Sequence, residues 1–316
     1  MKKKMINQMH LEGLLYEANL ELKTSGAASK NPGTEYLTGK ISVATDSECL
    51  NVVEVNYTYV TATTKNGGEN KTYTTLKNIM DGLLKTVMRD GKENATLVRV
   101  DTVIGLNEFY SENRQTGAEE FVSVKRNDGG FIHVTDVLSP LEETRNKFEC
   151  DMVITGAREV EANEERGYPA KVIIKGAIFD FRNALLPVEL TVTNEGGMAY
   201  FMGLEPSSSN PIFTKVWGKQ ISETTVRRIE EESAFGAPSV KEIRSSYKDF
   251  IVTGVNPTPY EWDLEETMTN ADLQKAVAER EVYLATLKKR REDYKASKAA
   301  EVANIAAPAA GSGFKF

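Results

Sequence analysis

Between Ile212 and Ile221 the chain alternates apolar residues with a second series that reads Phe213, Lys215, Trp217 and Lys219. Successive side chains of a strand point to opposite faces, so these four share one face and leave Ile212 and Val216 on the other. The run Ala170–Phe181 repeats the pattern: Val172, Ile174 and Ile178 share one parity, and Lys171, Ile173, Lys175, Phe179 and Phe181 the opposite one. Rings at strand spacing beside ammonium groups are what a single nucleic-acid strand asks of a surface. Bases stack on the rings for about 1–3 kcal/mol each while the cations hold phosphates. The first half is fainter: Tyr36, Thr38 and Lys40 lie opposite Leu37, Ile41 and Val43; Arg99 lies opposite Val98 and Val100; Phe121 and Lys125 lie opposite Val122 and Val124. Tyr57 and Tyr59 share the parity of Val53 and Val55 and are assigned to the core. Aromatic residues favour strands in any case, and Lys commonly guards sheet surfaces. The same rings, Phe179, Phe181, Phe213 and Trp217, would equally make the centre of a protein–protein interface.

Other chemistries find little support. Gly33 and Gly39-Lys40 imitate a phosphate loop, but five residues separate the glycines and Ile41 stands where a magnesium-binding hydroxyl is needed. There is no Gly-x-Ser-x-Gly elbow, and His10 and His133 lack partners at catalytic or metal-ligating spacing, so no enzyme, metal or cofactor is expected. Cys49 and Cys150 cannot build a disulfide framework, which suits a reducing compartment. No apolar run reaches the ~18 residues a bilayer requires, and Met1-Lys-Lys-Lys-Met5 leads into polar residues, so the expectation is a cytoplasmic protein without membrane contact. Three Asn-x-Thr triplets, at Asn56, Asn70 and Asn94, are then chance matches. The net charge of −7 excludes a polycation that coats duplex DNA by charge alone, yet leaves room for a local basic face.

Strands must position these faces. Alternating runs bounded by turn residues cover Met9–Leu22, Tyr36–Thr45, Val52–Tyr59, Thr96–Leu106 and Phe121–His133, with a helical period over Thr75–Met88 between the third and fourth. A second block runs Phe148–Glu159, Ala170–Phe181, Leu185–Thr193, Ile212–Glu223 and Val240–Val255, with the short apolar piece Met198–Leu204 in the equivalent gap. The expected domains are 1–140 and 141–256, then an acidic linker and amphipathic helix over 257–303, and a low-complexity flexible tail over 304–316. In the helix Leu273, Val277, Leu284 and Leu287 form an apolar line that Arg280 interrupts. Residues 269–316 hold nine Lys/Arg and six Asp/Glu, so 1–268 carry −10. The basic end of the helix, Lys288-Lys-Arg-Arg291, is expected to make no specific contact.

Five strands with a helix between the third and fourth is the plan of the OB-fold, a small Greek-key barrel. His10-Leu-Glu-Gly13-Leu-Leu-Tyr16, Gly39-Lys-Ile-Ser-Val-Ala44 and Asn51-Val-Val-Glu-Val55 resemble the first three strands of bacterial and phage single-stranded DNA-binding proteins. Lys215-Val-Trp-Gly218-Lys-Gln-Ile221 similarly resembles the fourth strand of that family. The resemblance implies a mainly β chain of two tandem five-stranded OB-fold-like barrels, a long C-terminal helix and a flexible tail. It also implies a non-catalytic protein that coats single-stranded DNA during replication or recombination, of a phage or mobile element and so in host cytoplasm. RNA is an alternative ligand, and association into a homo-oligomer is compatible with the family. Such proteins recruit replication or recombination proteins through their tails. Phe314 and Phe316 are the residues here that match, although the acidic residues of family tails are missing from Gly311–Phe316. From a different class, a virion structural or assembly protein would use the same barrels for protein–protein contacts.

Overall fold

The computed structural model describes residues 4–27, 29–163, 169–231, 239–263 and 268–306. Ten strands form in chain order: β1 (Asn7–Thr24), β2 (Glu35–Ala44), β3 (Val52–Thr61), β4 (Leu97–Glu112), β5 (Glu119–Val134), β6 (Asn146–Val160), β7 (Lys171–Phe179), β8 (Leu185–Val192), β9 (Ile212–Glu231) and β10 (Ser239–Val255). Helices α1 (Lys71–Met80) and α2 (Val87–Asp90) separate β3 from β4, α3 (Glu195–Gly203) separates β8 from β9, and α4 (Asn270–Ala306) follows β10.

The pairing order is β2-β3-β5-β4-β1-β6-β7-β8-β10-β9, with β2 returning to β1 and β9 returning to β6. Each half therefore closes on itself in the same order, first–second–third–fifth–fourth–first. In both, the third and fifth strands pair parallel while the rest pair antiparallel. That is the closed Greek-key path of the OB-fold, executed twice. The barrels are joined through β1, whose Asn7–Leu11 pairs with Asn146–Cys150 of β6.

Alternation explains the barrels. Leu11, Leu15, Leu37, Ile41, Val43, Val53, Val55, Val98, Val100 and Ile104 are all buried, as are Met152, Ile154, Val172, Ile174, Leu190 and Val216 of the second half. Gly39 and Gly176 occupy matching places in β2 and β7. A Cβ on either would lie 2.1 Å from a carbonyl oxygen of the preceding strand, that of Asn19 or Val153. A buried amide cluster seals the seam: Asn127 Nδ2 donates to Gln220 Oε1 at 2.6 Å, Asn146 Nδ2 to the Gln220 carbonyl at 2.7 Å, and Asn51 Nδ2 to that carbonyl at 3.0 Å.

Two local expectations are corrected. The single helix over Thr75–Met88 is instead α1, capped by Asn70, and the separate turn α2, capped by Thr86. Asp81-Gly82 breaks them apart, with Gly82 at φ +81°. The β4–β5 and β9–β10 hairpins also run well beyond the apolar alternation. The first becomes an arm that reaches Glu112 and returns from Glu119, carried by backbone pairing rather than by a buried face.

Candidate nucleic-acid interface

The outer face of β1–β2–β3 in the first barrel is open. Register places Lys40 between Asn19 and Asn56, Glu21 beside Thr38, and Lys23 beside Tyr36. Between Leu37↔Val60 and Gly39↔Tyr57, β3 holds two residues against one on β2, a β-bulge at Thr58 and Tyr59. The bulge keeps both Val60 and Tyr57 packed on the core and turns Tyr59 outward, against its assignment from parity. Tyr59 is 46% exposed. Its ring lies 4.4 Å from that of Tyr36, centroid to centroid. With Arg126 from β5, these strands line a groove of about 390 Å³ whose walls are Asn19, Lys23, Thr38, Lys40, Asn56 and Thr58.

The cations of this face each hold a carboxylate: Lys23–Glu21 at 2.8 Å, Lys40–Glu54 at 2.6 Å and Arg126–Asp128 at 2.7 Å. Burial pushes the Asp128 carboxyl up, against the pull of Arg126. The Lys23–Glu21 and Lys40–Glu54 pairs lie at the surface, where ion pairs contribute little, so a phosphate can displace those carboxylates at small cost.

Part of the matching face of the second barrel is covered. Phe179 and Phe213 have the outward parity expected of them, yet both are fully buried. The chain after β10 folds back over them: Tyr260, Trp262, Met268, Leu273 and Ala276 join Met5, Val153, Phe179 and Phe213 in a second small core. Outward on the barrel is thus inward in the molecule, and these two rings are unavailable to a ligand. Lys125 reaches across from β5 to donate to the Glu189 carbonyl, and lies 3.5 Å from Asp249. Lys171 faces Asp249 at 4.0 Å and the Tyr247 ring at 5.6 Å. Lys175 is exposed, and Phe181 stands 71% exposed in the β7–β8 turn under the Arg182 guanidinium.

The remaining expected residues scatter. Trp217 is half-buried beside Gly254, where a Cβ would meet the ring at 2.4 Å, with the Lys215 ammonium 5.8 Å from the ring centroid and Lys219 exposed further along β9. Phe121 packs beside Tyr110 on the arm, at 5.4 Å between centroids. Arg99 lies on β4 against Glu12, at 3.3 Å. The expected set therefore does not share one groove. Tyr36 and Lys40 form one face, Lys215, Trp217 and Lys219 another, and Phe314 and Phe316 lie outside the described residues. Sequence reasoning missed Tyr59, Lys23 and Arg126.

Glu12 organises the other end of the first barrel. Its buried carboxylate accepts from the Ser139 N–H at 2.7 Å and hydroxyl at 3.0 Å, and faces His10 Nε2 at 2.9 Å. Burial would raise this carboxyl, but the bonds from His10 and Ser139 and the Arg99 charge bring it down to about 2. His10 Nδ1 faces Asp101 at 2.9 Å. Burial opposes its charging, and the Asp101 and Glu12 carboxylates outweigh that and raise its pKa.

Among the described residues no group of three or more His, Cys, Asp and Glu side chains is placed to hold a metal ion, and no helix is long and apolar enough to cross a membrane. Fold and site together define a tandem OB-barrel protein with an open ring-and-cation face on its first barrel. The chain matches the YorF family over residues 5–290 and belongs to that family. It is similar to the wild-type single-stranded DNA binding protein from Thermus aquaticus, at 12% identity and a TM-score of 0.46, over 82% of this chain and 96% of that one. A deletion mutant of the same Thermus aquaticus protein gives 12% identity and a TM-score of 0.43, over 83% and 99%. No curated protein matches by sequence.

Proposed function

We propose that this protein binds single-stranded DNA without catalysis, and that the primary contact is the β1–β2–β3 face of the first barrel. The observation that carries the reading is the outward Tyr36–Tyr59 ring pair, with Lys23 opposite Tyr36, on the same outer face as an open groove lined by Lys23, Lys40 and Arg126. Bases stack on the ring pair; Lys23, Lys40 and Arg126 exchange their carboxylates for phosphates; Asn19, Asn56, Thr38 and Thr58 offer hydrogen bonds to whichever base edge is presented. Such contacts distinguish strands from duplex rather than one sequence from another, which suits a protein that covers strands exposed in replication or recombination. Trp217 with Lys215 and Lys219 is a separate, secondary contact. Competition between labelled oligothymidylate and unlabelled duplex of equal length tests the reading. Only single strands should compete efficiently, and equal competition by duplex would overturn it.

A further inference from the structure

Helix α4 runs along one face of the β4–β5 arm. The two arm residues that pair with it share a face, since Glu108 lies four residues before Glu112, which stands opposite Glu119. Arg280 forms a two-point ion pair with Glu108, and Arg291 and Lys295 meet Glu119 at 2.9 and 2.7 Å. From Arg280 to Arg291 is about 16 Å of helix, and from Glu108 to Glu112 about 14 Å of strand. Helix and strand therefore travel together from the root of the arm to its tip, pinned at both ends.

The pins fix what lies beyond them. Residues 288–298 contain six Lys/Arg and two Asp/Glu, a local +4 in a chain whose remainder carries −11. Lys288, Lys289, Arg290, Lys295 and Lys298 are exposed. Among them stands Tyr294, 51% exposed, with the Arg291 guanidinium 5.8 Å and the Lys298 ammonium 5.6 Å from its ring centroid. Glu292 and Asp293, three or four residues beyond Lys288, Lys289 and Arg290, offset only part of this charge, and Arg291, Lys295 and Lys298 repeat like charge at helical spacing, which is unfavourable unless an anion is present. A ring among cations on a rigid support is the same chemistry as the outer face of the first barrel, with two carboxylates, Glu292 and Asp293, against six cations.

The geometry points to the Lys288–Lys298 segment of α4 as a second binding site for single-stranded nucleic acid, taking phosphates on Lys288, Lys289, Arg290 and Lys298 and a base on Tyr294. This rests on the single-strand reading above and extends it: the first barrel stacks bases, and the helix supplies most of the electrostatic attraction. The test uses the full chain and oligothymidylates of 8 and 40 nucleotides, with fluorescence anisotropy over a series of salt concentrations. Lys288→Glu/Lys289→Glu/Arg290→Glu changes three exposed side chains and spares Arg280, Arg291 and Lys295, so α4 stays docked, as circular dichroism and trypsin resistance would verify. For the 40-mer the variant should bind roughly ten- to a hundred-fold more weakly at low salt, with a log–log salt slope shallower by about 2, at ~0.7 per lost phosphate contact. Tyr294→Ala should weaken the 40-mer with its salt slope unchanged. An unchanged slope in the triple variant, while wild type binds the 40-mer, overturns the helix site and leaves the barrel face standing. A change in oligomeric mass with DNA binding intact assigns the patch to protein association and overturns it equally. Failure of wild type to bind either oligonucleotide overturns the single-strand reading itself.

Discussion

Arg280 is the place where a single substitution should separate the helix from the barrels. Its side chain is 11% exposed, that of its partner Glu108 only 2%, and Ser123 donates a further hydrogen bond to the carboxylate at 3.0 Å. Glu108→Ala would leave the guanidinium in that site without its two-point partner, beside the Tyr283 ring 5.2 Å away. Removing one partner of a buried pair costs about 3–5 kcal/mol. The apolar anchors of the helix, Leu273 and Ala276, lie N-terminal to Arg280, so the molecule can limit the loss by releasing α4 from that point onward. The expected result is a lower denaturant midpoint together with rapid tryptic cleavage at Lys288–Arg291, while the barrels stay folded. Glu108→Leu/Arg280→Met removes both charges and should recover most of the loss, because well-packed apolar replacements of buried pairs are often neutral. A Glu108→Ala protein within about 1 kcal/mol of wild type, with unchanged trypsin resistance, would refute the reasoning.

Gly39→Ala and Gly176→Ala each place a Cβ 2.1 Å from a backbone oxygen, and Gly39 also sits at φ +129°, so both should cost several degrees of Tm or prevent folding. Gly156→Ala has nothing within 4 Å of its new Cβ and should be near neutral by the same melt. The depressed Glu12 carboxyl contributes stability that is complete above about pH 5 and is lost as pH falls towards about 2, at most ~3 kcal/mol for a shift from 4.5. His10 works in the opposite direction: its raised pKa gives stability that is full below about 6.5 and fades as pH rises through the folded value. Denaturant midpoints across pH should therefore peak near pH 5–6.5 in wild type, and Glu12→Gln should flatten the acid limb of that curve.

Alternation along the chain was enough to read all ten strands and to place helices between the third and fourth of each block. Barrel closure is a long-range event and left no periodic trace; only the plan of elements suggested it. Parity identified the outward faces correctly at Phe179 and Phe213, but parity knows nothing of a segment that returns from far along the chain, Tyr260 to Ala276, to cover them. At Tyr59 parity itself failed, because a bulge inserts one residue and shifts the alternation. The break in the apolar line of α4 was visible as Arg280, and its meaning was not. An Arg in an apolar stripe signals a buried partner, and Glu108 lies two residues beyond the run Thr96–Leu106 read as a strand. The open groove was legible in part, through Thr38 and Lys40, whereas Lys23 and Arg126 come from strands whose lateral placement only the fold supplies.

The ring pair of the first barrel carries the proposed binding most directly. Fluorescence anisotropy of a labelled 40-nucleotide oligothymidylate should report binding by wild type, and Tyr36→Ala/Tyr59→Ala should weaken it about 30-fold or more. That corresponds to at least ~2 kcal/mol for two lost stacking partners, with little change in salt slope. The same affinity in the double variant, with its fold intact by circular dichroism, would contradict the assignment of this face.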